Sequence, residues 1–199
     1  MHEPELTNQR SRTFSLIGMP GGGKSTVARH LARRLGRGFV DTDAVIERRI
    51  GCPIRTFFER EGEERFRDIE STVLDEVMLS TPGVIATGGG IVLRDVNREA
   101  LRSRTACVYL RSTPEELFRR LRHDSKRPLL QVADPLSRLR EIFAKRDPLY
   151  RDTAQFIIET GRPSVPALVN MILMQLELAG LVDPSTVPSP IDTTGEAPH

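Results

Sequence analysis

The chain has 199 residues, 38% of them apolar and 28% charged, with a formal net charge of +2. That length suits one domain with a real core, and so small a net charge gives no basis for binding nucleic acid or an anionic membrane. Two cysteines far apart in the chain, Cys52 and Cys107, exclude a disulfide framework and a zinc knuckle. The N-terminus, MHEPELTNQRSR, lacks the apolar core of a secretion signal, so the expected compartment is the cytoplasm.

Residues 1–12 are polar and unpatterned and are expected to form a flexible tail. TFSLIGM (13–19) predicts a buried strand running into glycines. KSTVARHLARRLG follows, with Val27, Leu31 and Leu35 at helical spacing and Gly36 at the stop. FVD (39–41) predicts a short strand and 43–50 a helix, broken by Cys52, Pro53 and Ile54. Residues 63–79 form the clearest amphipathic pattern, with Phe66, Ile69, Val73 and Val77 on one stripe and Pro82-Gly83 at the end. A strand at 84–87 meets three glycines, and a helix near 95–102 follows.

ACVYL (106–110) predicts the fourth strand. The next helix, near 114–121, has Thr113 as N-cap and Pro114 at its first position. Residues 122–133 are basic and irregular. A helix over 134–147, a strand over 155–159 and a last helix from Ser164 complete the pattern. ALVNMILMQLELAGLV (167–182) carries Asn170, Gln175 and Glu177, so it should pack on a core rather than span a bilayer. From 183 to 199 a polar, proline-rich stretch reads as a disordered tail. Five apolar strands without alternation, interleaved with helices, predict an α/β fold with a five-stranded parallel sheet covered on both faces. Its ligands should lie beyond the carboxyl ends of the strands.

GMPGGGKS (18–25) matches G-x-x-x-x-G-K-[ST] between a predicted strand and a predicted helix, the context that gives the pattern its meaning. Gly21, Gly22 and Gly23 let backbone N–H groups turn around a phosphate, the following helix start adds a partial positive charge, and Thr26 is counted with them among the nucleotide-binding residues. Lys24 is expected on the β- and γ-phosphates and Ser25 on Mg²⁺. The third strand ends in threonine and glycine, where many such proteins have a metal-binding acid. The acids follow the second strand instead, at FVDTD. Asp41 is assigned to the metal through a water. Asp43 is assigned to an acceptor hydroxyl as orienting and proton-accepting group, with helix N-capping as its bland alternative.

The excess of acids in 41–76 and of bases in 94–151 fits either an anionic ligand held between them or solvated helix faces. The motifs are more specific. The P-loop, FVDTD, FFEREGEERFR (57–67), the triple glycine, RPLL (127–130) and KRDPLY (145–150), in this order, make the chain resemble the shikimate kinases over roughly residues 13–178. The resemblance implies a P-loop kinase fold with a mobile lid at 122–133, acting as a monomer on ATP and shikimate, with no nucleic-acid or membrane partner. The reaction implied is transfer of the γ-phosphoryl group to the 3-hydroxyl of shikimate, in aromatic amino acid biosynthesis.

It implies that Asp43 binds ring hydroxyls and that Arg67 and Arg146 hold the carboxylate. Gly88, Gly89 and Gly90 would admit the ring against the backbone. Arg127 would close over the phosphates as an internal arginine finger, with Arg120 and Pro163 against adenine. A guanidinium fork suits a carboxylate, although Arg67, Arg120 and Arg146 are also residues that commonly decorate solvated helices. Two other readings keep the fold: a kinase for another small acceptor such as gluconate, and a non-catalytic ligand sensor.

Overall fold

The computed structural model describes residues 12–80, 83–121, 132–161 and 163–187. Strands β1 (Thr13–Ile17), β2 (Gly38–Asp41), β3 (Gly83–Ala86), β4 (Thr105–Arg111) and β5 (Phe156–Glu159) form one sheet in the order β2-β3-β1-β4-β5. Every pairing is parallel, as the unalternating apolar runs predict. From β1 the chain steps out to β2, returns to β3 and then crosses past β1 to β4, so the strand order reverses beside β1. Ligands of open α/β sheets bind at the carboxyl side of such a reversal.

The two-residue period of a strand splits the core into two layers. Phe14, Leu16, Val84, Ala86, Ala106, Val108 and Leu110 face one way, against α1 (Lys24–Arg34) and the last helix, α8 (Val165–Leu178). Ile17, Cys107 and Tyr109 face the other way, against α4 (Glu63–Ser80), α5 (Asp95–Arg104), α6 (Pro114–Leu121) and α7 (Pro135–Thr153). A third cluster joins α2 (Thr42–Ile50) to α4 through Ile46, Phe66, Val73 and Val77 around Ile85. No helix among the described residues is long and apolar enough to cross a membrane.

Three departures from the predicted elements have physical causes. Ile54–Glu61 is a helix, α3, with no fully buried residue. Its signal is an aromatic pair, Phe57 and Phe58, packed on the third cluster rather than a periodic stripe. Helix α7 does not stop at 147 but runs through Pro148 to Thr153. Proline removes one helical hydrogen bond, and burial of Tyr150 and Thr153 one turn further on outweighs that loss. At the other end, Pro184–Thr186 form a 3₁₀ turn N-capped by Asp183, and Val187 packs against the core. The disordered tail expected from 183 is therefore corrected over residues 183–187. The expected N-terminal tail lies outside the described residues except for Arg12, as do residues 188–199 and all but the last two lid positions.

The basic bias of 94–151 is largely surface chemistry. Arg94, Arg98, Arg102, Arg104, Arg138 and Arg140 each pair with a carboxylate on the protein surface. Such pairs stabilise by about 0–1 kcal/mol each.

Candidate active site

The P-loop joins β1 to α1. Gly23 N-caps α1 at φ 83°, in the left-handed region where a side chain would be strained. Lys24 is buried, and its Nζ donates to the carbonyls of Gly18 and Met19 at 2.9 Å each. The lysine thus lies folded over its own loop. Ser25 Oγ donates to Asp41 Oδ2, bringing together the two residues expected at the metal. Thr26, next along α1, is exposed.

Asp41 has a second task, one that the sequence offered only as the alternative role of Asp43. Its Oδ1 accepts from the N–H groups of Asp43 at 3.0 Å and Ala44 at 3.4 Å, so Asp41 is the N-cap of α2. Asp43 is thereby released from capping. Burial, then the Asp41 carboxylate, push the Asp43 carboxyl up to about 6, with Lys24 opposing and Glu70 and Glu47 adding to the rise.

The triple glycine follows β3, where Thr87 Oγ1 anchors the chain to Leu16 O at 3.0 Å. Each glycine touches a different part of the site. A Cβ on Gly88 would lie 2.7 Å from Asp43 Oδ1 and 3.1 Å from Glu70 Oε1. One on Gly89 would lie 2.6 Å from the ring of Pro20 in the P-loop. One on Gly90 would meet the Arg67 guanidinium. A side chain at Gly89 would meet the rigid Pro20 ring, and one at Gly88 or Gly90 would have to displace Asp43, Glu70 or Arg67, which adds to the expectation that the glycines make room for a ring.

Arg67 is held from several sides. Its Nη1 donates to Glu70 Oε2 at 2.8 Å, and Nη2 and Nε donate to Glu63 Oε1 at 3.0 and 3.3 Å. Its guanidinium lies 5.2 Å from the Phe66 ring centroid and 5.7 Å from that of Phe58. The Glu70 side chain is 1% exposed, and burial raises its carboxyl against the opposing pull of Arg67 and Arg146. Arg146 lies on α7 one turn before the buried Tyr150 and hydrogen-bonds its hydroxyl, on which both it and Arg67 also act electrostatically. Tyr150 Oη donates to the Gly89 carbonyl.

The residues expected at adenine are linked to each other by fewer contacts. Arg120 Nη2 donates to the Thr160 carbonyl, which ties α6 to the segment leading to Pro163. Ser112 and Thr160 share a hydrogen bond beside it. Arg127, with the lid, lies outside the described residues.

Five contributors were missed in the sequence: Pro20, Glu63, Glu70, Thr87 and Tyr150. Glu70 carried a signal, since it is three residues past Arg67 and so shares its helix face, inside a stripe that should be apolar. Tyr150 was hidden because the predicted helix stopped before Pro148, which concealed its one-turn spacing from Arg146.

A scan against family profiles matches the shikimate kinases over residues 20–177. A shikimate kinase from Paracidovorax citrulli is 59% identical over 188 residues, covering 93% of this chain and 100% of the relative. One from Burkholderia lata is 53% identical, covering 83% and 90%. Among solved structures, the Acinetobacter baumannii shikimate kinase in complex with shikimate has a TM-score of 0.81 and 42% identity, covering 90% of this chain and 100% of that one. A gluconokinase from Sinorhizobium meliloti, with a TM-score of 0.55 and 18% identity, shares the fold alone. The profile match over most of the chain, the relatives and the solved structure agree: this chain belongs to the shikimate kinase family.

Proposed function

We propose that this shikimate kinase divides the transfer of the γ-phosphoryl group from ATP to the shikimate 3-hydroxyl between the two walls of its cleft. The observation that carries the reading is the set of contacts along Gly88–Gly90. Asp43 lies against the first glycine, Pro20 of the P-loop against the second and Arg67 against the third. Residues two apart have Cα atoms at most ~7 Å apart, so an acid and a guanidinium stand at the two ends of a strip about as long as a six-membered ring acid.

On the phosphate wall, Lys24 leaves its loop carbonyls for the β- and γ-phosphates and stabilises the charge that develops on the transferring group. Ser25 and Asp41 are the residues that would hold Mg²⁺. A hydroxyl and a carboxylate in contact are the hard oxygen donors this ion takes. No cluster of three His, Cys, Asp or Glu exists among the described residues, which fits an ion completed by phosphates and water rather than a protein cage. When bound, Mg²⁺ supplies charge neutralisation at the phosphates. Thr26, Arg120 and Pro163 line the nucleoside side, and Arg127 is proposed to close over the phosphates from the lid.

On the acceptor wall, Arg67 and Arg146 bind the carboxylate and so fix the orientation of the ring. Asp43 accepts a hydrogen bond from the 3-hydroxyl and takes its proton as the O–P bond forms. Its raised carboxyl strengthens it as a base while leaving it ionised at neutral pH. Glu70 holds Arg67 in place from behind.

Incubation with ATP, Mg²⁺ and shikimate, followed by mass analysis, tests the reading. The expected product is shikimate carrying one phosphoryl group, with ADP in equal amount. ADP release independent of shikimate, or phosphorylation of gluconate in preference to shikimate, would overturn it.

A further inference from the structure

Glycine rotates readily about both of its backbone bonds, so a peptide unit between two glycines flips easily. The Gly89–Gly90 peptide is such a unit, and it lies at the centre of the acceptor wall. The strip's own bonds, from Ile91 N–H to the Gly88 carbonyl at 3.2 Å and from Leu93 N–H to the Gly90 carbonyl at 3.0 Å, close turns around this peptide but engage neither its C=O nor its N–H. The fixing group comes from α7: Tyr150 Oη donates to the Gly89 carbonyl at 2.5 Å. A trans peptide is planar, with its N–H opposite its C=O. Holding the Gly89 carbonyl toward Tyr150 therefore turns the Gly90 N–H away from Tyr150 and from the core behind it. That N–H has no acceptor among the described residues.

Tyr150 is itself rigidly held. It is 0% exposed, and its ring stacks on Tyr109 with centroids 4.9 Å apart. Tyr109 Oη donates to Asp147 Oδ1 at 2.8 Å, which anchors the pair to the next residue after Arg146. Burial pushes the Tyr150 hydroxyl up to about 12, so it remains a donor across the working pH range.

We infer that Tyr150 is a positioning residue for the acceptor: its bond to Gly89 locks the Gly89–Gly90 peptide so that the Gly90 N–H donates to a ring oxygen of the bound polyhydroxy acid. This role presupposes the acceptor reading given above. It also makes one helix, α7, responsible for two contacts, the carboxylate through Arg146 and the ring through Tyr150 and Gly90.

The test compares Tyr150→Phe with Tyr109→Phe, each of which removes one hydroxyl and keeps the stacked rings. Both are measured by steady-state kinetics with shikimate and ATP and by thermal denaturation. Tyr150→Phe is expected to raise the shikimate KM about 3–10-fold, with the ATP KM unchanged. Tyr109→Phe, whose hydroxyl bonds Asp147 instead, is expected to lower the melting temperature with no matching rise in the shikimate KM. An unchanged shikimate KM in Tyr150→Phe would overturn the role, and so would equal rises for both substrates or in both variants, which would trace the effect to core packing, or disappearance of the Tyr150→Phe effect in an Arg146→Ala background, which would trace it to the Arg146 contact. Absence of shikimate turnover in the wild-type protein would sink the acceptor reading as well, whereas normal wild-type turnover with an indifferent Tyr150→Phe would sink only this role.

Discussion

The two walls of the cleft are built on opposite plans. The proposed phosphate wall rests mainly on one continuous segment, Gly18–Ser25, with a lysine already folded over the loop and only Asp41, bonded to Ser25, reaching it from the end of β2. The proposed acceptor wall is assembled from four separate places: the start of α2, the first half of α4, the glycines after β3 and the far half of α7. Its charges press on one another, with Asp43 and Glu70 flanking Gly88 and Arg67 flanking Gly90. A continuous loop can be read by any phosphate chain, so it specifies little beyond a nucleotide. A wall whose groups depend on four packing interfaces can specify one small molecule, and it becomes sensitive to changes far from the ligand.

The comparison breaks most sharply at Asp43. Asp43→Asn is expected to lower kcat by ~10³-fold, the scale of a lost general base, in a coupled ADP-release assay. Lys24→Met tests the other wall. It should lower kcat by ~10²-fold through lost charge stabilisation, whichever acceptor is offered. Arg67→Ala separates the walls, since the shikimate KM should rise ~10–100-fold, the scale of a charge-assisted contact, while the ATP KM stays near wild type. Equal effects on both substrates would mean that Arg67 supports the fold instead.

Asp43 also sets a pH dependence. Its carboxyl must be ionised to accept the proton, so kcat is expected to fall as pH drops through about 6. Stability runs the other way. The folded value lies above the unfolded one, near 3.9, so between them the folded state binds more protons. This group's contribution to stability is greatest below pH ~4 and declines as pH rises to about 6. Asp43→Asn should therefore raise stability at pH 8 by about 1 kcal/mol, after allowance for solvent screening, and by little at pH 4, as read by urea denaturation. The smallest effect concerns Glu63, whose exposed carboxylate occupies two nitrogens of Arg67. Glu63→Gln frees them for the substrate and should lower the shikimate KM by ~2–5-fold.

Most strands and helices were legible in the sequence because their apolar runs and periods are local. The missed helix α3 lacks a periodic buried face, and α7 passes a residue that ordinarily ends a helix. The same reason hid Tyr150. Asp41 and Asp43 show the limit at the site: both acids were singled out, but which one caps α2 follows from where the Asp41 side chain turns relative to two N–H groups.

Apolar runs interleaved with helical periods determined the α/β class, and the motifs in their order determined the nucleotide loop and the family, because each depends on residues adjacent in the chain or on spacing along it. Only the tertiary structure decided why glycine stands at 88, 89 and 90, what holds Arg67 and what fixes the Gly89 carbonyl. Those are contacts between segments distant in sequence. They depend on the sheet order β2-β3-β1-β4-β5 and on how helices pack across it, which no local pattern records.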